Sequence, residues 1–117
     1  MSQYHEPAGE MSREARDRVR ALASLREEID AVDWYHQRIS VSDDAELKAL
    51  LEHNMIEEME HAAMALEWLR RSMDGWDEAL RTYLMTDQPI TEIEEGGEEP
   101  SDDSSKSLGI GGLKSEP

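Results

Sequence analysis

Apolar residues recur three, four or seven positions apart between about Glu10 and Ile39, at Leu22, Leu25, Ile29, Val32 and Ile39. This is the period of one face of an α-helix. Neither Gly nor Pro interrupts the span. Ser40-Val41-Ser42 breaks the pattern. A second helix is expected from about Asp43 to Met73, with Ser42 as its N-cap and Asp43 and Asp44 in the first turn, where carboxylates favour the helix dipole. Its inner stripe reads Leu47, Leu51, Asn54, Glu58, His61, Ala65 and Leu69, every step being three or four. Arg70 and Arg71 sit where cations suit a helix end, and Gly75 is a natural stop. A short third helix is expected from Trp76 to Met85, carrying Leu80, Tyr83 and Leu84, with Pro89 beyond its end.

The pattern therefore predicts an all-α chain, an antiparallel two-helix hairpin plus a short C-terminal helix. Residues 1–9 read as a loose arm, since Pro7 and Gly9 discourage regular structure, and residues 10–93 as the helical domain. Residues 94–106 are rich in Glu, Ser, Asp and Gly and hold no apolar residue. Such a segment cannot bury enough surface to offset its ordering entropy, so it is expected to be a disordered acidic linker. Apolar residues return in 107–117, spaced by glycines.

Composition narrows the function. The chain has 117 residues, room for one domain, and a formal net charge of −16. That balance argues against nucleic acid, which needs Lys and Arg to displace its counterions, and suits the attraction of cations. With no Cys, thiolate sites and thiol nucleophiles are excluded, and any metal site must use Glu, Asp and His, which favours iron or manganese over structural zinc. The lack of Cys also suits a cytoplasmic protein. No run approaches the roughly 18 apolar residues of a membrane span, and residues 1–10 lack the pattern of a secretory signal. Mean hydropathy is −0.76 and there is no Phe. So little core material leaves a deficit that association would offset.

The informative motif is Glu58-Met59-Glu60-His61. Glu58 and His61, three apart, share a helix face, and that face is the inner stripe. A buried carboxylate is costly unless paired or bound to metal. Glu28 lies three after Leu25 and four before Val32, at the edge of the stripe on the first helix. Four-helix di-iron proteins take one Glu from each of two helices and a Glu-x-x-His pair from each of the other two. This chain holds one helix of each kind, hence half a ligand set. Two copies about a twofold axis would make a four-helix bundle with Glu28, Glu58 and His61 from each. The blander reading is a hydrogen-bonded core histidine with Glu58 as its salt-bridge partner, and in so acidic a chain the spacing also arises by chance.

Other residues read more simply. His36 and His53 suit a solvated surface. Glu27 and Asp30 are ordinary helix charge or the lining of a path for metal. Met55, Met59 and Met64 suit packing, and Trp34 and Trp68 a core or an interface. Tyr35, seven after Glu28, shares its face and either bonds a ligand carboxylate or packs.

The strings Glu27-Glu28-Ile29-Asp30-Ala31-Val32-Asp33-Trp34-Tyr35, His53-Asn54, Glu57-Glu58, Glu60-His61-Ala62-Ala63-Met64 and Leu66-Glu67-Trp68-Leu69-Arg70-Arg71 together resemble encapsulated ferritin. So does Leu80-Arg81-Thr82-Tyr83-Leu84 followed by Pro89-Ile90. The resemblance covers about residues 5–95. It implies a hairpin that dimerises into a ferritin-like four-helix bundle, and dimers that assemble into a ring-shaped decamer. It places the iron ligands on Glu28, Glu58 and His61, with two irons per dimer interface, outer metal-admitting acids on Glu27 and Asp30, and a supporting tyrosine on Tyr35. Asp30 is shorter than the Glu usual in the family, and His36 also departs from its pattern. The tail 107–117 resembles an encapsulin cargo-loading peptide, with Leu108, Ile110 and Leu113 as anchors. The expected function is thus oxidation of Fe(II) by O₂, delivering iron for storage inside a cytoplasmic encapsulin nanocompartment. The alternatives are a non-catalytic iron carrier and a structural cargo adaptor of the shell. No membrane or nucleic-acid partner is expected.

Overall fold

The computed structural model describes residues 4–96, all of whose regular elements are helical. A 3-10 turn at Ala8–Glu10 precedes α1 (Arg13–Val41) and α2 (Ala45–Ser72). Two short helices follow, α3 (Trp76–Tyr83) and α4 (Ile90–Gly96). One compact unit ends at Met73 and holds the long helices; a second begins at Asp74. None of these helices is long and apolar enough to cross a membrane.

The long helices are fixed at their ends by side chains. Ser12 Oγ accepts the Ala15 N–H at 3.0 Å and opens α1. Asp44 Oδ1 accepts the Leu47 N–H at 2.8 Å and opens α2. The cap of α2 is therefore Asp44, not Ser42. Ser42 instead closes α1, in an extended conformation with its N–H bonded to the Ile39 carbonyl. A carboxylate brings the same acceptor as a hydroxyl plus a full charge at the positive end of the dipole. The connection between the helices is only residues 42–44, which forces them antiparallel. At the opposite end Arg18 Nε donates to the Ser72 carbonyl at 2.8 Å, satisfying one of the acceptors that a helix C-terminus leaves over.

At about 1.5 Å per residue, α1 with its 29 residues runs about 43 Å. Two such rods touch along one stripe each, and the other sides face water. Leu69 is fully buried, whereas Ile29, Trp34, Leu50, Ile56 and Met64 each expose half or more of their surface. Trp34 and Trp68 are thus not core residues of the hairpin: both are exposed, at 53% and 43%.

In the second unit Gly75 takes φ +101°, a conformation that costs a side chain but not glycine, and opens α3. α4 was not expected. Pro89 acts there as a starter rather than a stop: its carbonyl accepts the N–H groups of Glu92 and Ile93, and Ile93 is buried. Proline lacks only an N–H that a first turn does not use. α4 runs through Glu94 and Glu95 to Gly96, three residues into the segment read as linker.

Candidate metal centre

The register of the hairpin brings Glu28 of α1 against Glu58 and His61 of α2. His61 Nδ1 lies 3.6 Å from a Glu28 oxygen and 3.4 Å from a Glu58 oxygen. One donor atom from each residue falls within 4.8 Å of the others, and this is the one such group of three among the described residues. The two carboxylates are about three-quarters buried, with 26% and 25% of their side chains exposed, while His61 is about half exposed at 48%. The trio is rooted in the hairpin and opens to one side.

The carboxyl of Glu28 is pushed above its ordinary 4.5. The main cause is its hydrogen bond with Glu58, followed by burial and the Glu58 charge; His61 works in the other direction. A second carboxylate this close disfavours the negative charge on Glu28. A multivalent cation relieves the same repulsion, so proton and metal compete for these oxygens. Carboxylate oxygens with one imidazole nitrogen form a hard donor set suited to iron or manganese.

The side on which His61 opens carries several apolar residues. Leu50, His61, Met64 and Trp68 follow each other in steps of eleven, three and four on one flank of α2, which Glu57 shares. Ala63, Met64, Glu67, Trp68 and Arg71 line a shallow groove of about 350 Å³ farther along α2. Beside it Glu67 binds the guanidinium groups of Arg70 and Arg71 at 2.8 and 2.7 Å. Those bonds, that to Arg70 first, hold its carboxyl down to about 2. The groove is beyond the sequence reading; the ion cluster was signalled by Glu67 standing three and four positions before two arginines.

The remaining residues singled out from the sequence lie outside the trio. Glu27 and Asp30 are exposed on α1. Tyr35 is half-buried, with the Arg38 guanidinium 5.2 Å from its ring centre, a cation–π pair that sequence reading passed over. His36 is exposed, and His53 pairs with Glu57 at 3.2 Å on the surface. Met55 is half-buried, whereas Met59 and Met64 are exposed. Leu108, Ile110 and Leu113 lie outside the described residues.

A helical hairpin that sets a Glu of one helix against the Glu-x-x-His of the next carries the residue pattern found in ferritin-like carboxylate bundles. Comparison with known proteins agrees. The model of the EncFtn-like family matches residues 3–87. A protein described as ferritin-like from Thermotoga maritima is 62% identical over 108 residues, covering 92% of this chain and 95% of its own. An encapsulated ferritin-like protein from Rhodospirillum rubrum is 51% identical over 123 residues, covering 96% of this chain and 88% of its own. A crystal structure of a Nitrosomonas europaea protein, 54% identical, superposes with a TM-score of 0.73 over 76% of this chain and 98% of that one. The chain belongs to the EncFtn-like family, and its relatives include proteins described as ferritin-like and as encapsulated ferritin-like.

Proposed function

We propose that the protein is a ferroxidase whose metal site is completed when two copies meet. Each copy contributes Glu28, Glu58 and His61, and the pair holds two irons between four long helices. The observation that carries this reading is the convergence of three hard ligands, two of them largely buried, on a side of the hairpin where Leu50, Met64 and Trp68 are left facing water. A second copy laid on that side covers the apolar residues and doubles the ligands in one step.

Fe(II) is the substrate. The net charge of −16 draws it to the protein, and Glu27 and Asp30 lead it inward along α1. Two irons give one electron each to O₂, which takes up two protons and leaves as peroxide. The chain's own work is to hold the irons close, to compensate charge as Fe(III) forms, and to seat Tyr35 beside the ligands. Dimers build a ring-shaped decamer. An open ring encloses no mineral, so Fe(III) passes to the lumen of a cytoplasmic encapsulin shell, to which Leu108, Ile110 and Leu113 anchor the chain. The names of two relatives support the shell: the Rhodospirillum rubrum protein is called encapsulated, and a Myxococcus xanthus protein, 40% identical over 48 residues, is an encapsulin nanocompartment cargo protein.

The test is aerobic Fe(II) oxidation followed by near-ultraviolet absorbance. The native chain is expected to outpace buffer and Glu58→Ala to fall to the buffer rate. A native chain that binds Fe(II) but oxidises it no faster than buffer is an iron carrier. A Glu58→Ala variant with native rates moves the chemistry elsewhere.

A further inference from the structure

Between Leu51 and Ala65 the half-buried side of α2 carries one polar residue that the site does not use. Between Leu51 and Ala65 the half-buried residues are Leu51, Asn54, Met55, Glu58, Ala62 and Ala65. Glu58 has Glu28 and His61 for neighbours. The amide of Asn54 takes part in no hydrogen bond among the described residues. A half-buried amide without a partner weakens a helical hairpin where Leu or Ala would strengthen it. Its presence on this stripe therefore needs a reason other than packing.

Its position supplies one. Asn54 stands four residues, one turn, before Glu58. Helical side chains lean toward the N-terminus, so the longer arm of Glu58 reaches back over the turn that bears Asn54. The antiparallel register that sets Arg18 against Ser72, and Glu28 against Glu58 and His61, continues to the height at which Tyr35 and Asn54 stand, seven residues from Glu28 and from His61. Asn54 thus falls one turn from Glu58, at the end of the site toward Tyr35.

We infer that Asn54 is a positioning residue for iron oxidation at this site. Its Nδ2–H donates to a Glu58 oxygen once that carboxylate turns from Glu28 and His61 toward iron. The bond fixes the plane of the carboxylate and decides which oxygen faces the metal. This inference rests on the reading of the site as a ferroxidase centre. Residues that orient a metal ligand from behind act this way generally, and their loss costs roughly tenfold or more in activity or affinity.

The experiment compares native chain, Asn54→Leu, Asn54→Gln and Glu58→Ala, each full length, for melting temperature, assembly size by gel filtration, and kcat and KM for Fe(II). Asn54→Leu is expected to melt no lower than native, to keep its assembly, and to lose roughly tenfold in kcat at little-changed KM. Asn54→Gln, which keeps an amide, is expected to recover part of that loss. Native kcat in Asn54→Leu overturns the inference while the ferroxidase reading stands. So does a rate loss that tracks a lower melting temperature, or a Gln variant no better than Leu. A native chain no faster than buffer overturns the inference and the ferroxidase reading together.

Discussion

At the scale of single residues, the protein sorts its carboxylates by their neighbours. Glu28 faces another carboxylate and is pushed up; Glu67 faces two guanidinium groups and is held down to about 2. The first arrangement disfavours the charged carboxylate. The second is an ordinary surface ion cluster that steadies the end of α2. Because the folded value of Glu67 lies below its ordinary 4.5, its contribution to stability is present above pH 4.5 and is lost as pH falls through about 2. Its side chain is 41% exposed, so the effect is small and screened by salt. Thermal melts of native and Glu67→Gln chains are expected to differ at pH 5 and to converge as the pH approaches 2. Curves that stay equally far apart down to the lowest pH would contradict this.

At the scale of elements, the caps and the hydrophobic period decide the hairpin. The Asp44 carboxylate is the cap of α2, and Asp44→Ala is expected to destabilise the hairpin by about 1 kcal/mol, read by urea denaturation. Ser42→Ala, which touches no cap acceptor, is expected to be close to neutral. Most of this level was legible in the sequence, because a 3.6-residue period sustained over two long spans admits one reading. The clustering of Glu28, Glu58 and His61 was legible for the same reason: Glu58 and His61 interrupt an apolar stripe, and Glu28 lies at the edge of the stripe on the other helix. The rest was hidden by residues with two uses. Ser42 and Asp44 both cap helices well, and only geometry chose between them. Proline can end a helix or begin one, and Pro89 begins α4, which concealed that helix although Ile90 and Ile93 carried a faint helical spacing. Trp34 and Trp68 read as core or interface because periodicity records which residues are apolar, not what covers them.

At the scale of the whole molecule, the hairpin is short of partners. His61, both tryptophans of the long helices and several aliphatic residues, Ile29, Leu50 and Ile56 among them, are left open to water by two helices alone. On the proposed reading, a second copy would give this acidic chain, with its little core material, both a core and a completed site. Metal would link the two gains, because facing sets of Glu28, Glu58 and His61 would crowd four carboxylates together until cations stood between them. On the proposed reading, a shell would store the iron that so short a chain oxidises.

The central claim is that each chain holds half a site. Native mass spectrometry of the full-length protein, taken under anaerobic Fe(II) titration, reads chain number and iron number in the same ion. Iron is expected only on species of two or more chains, in even chain numbers, saturating at one iron per chain. Iron held at that ratio by the lone chain, and kept on dilution, would contradict the claim.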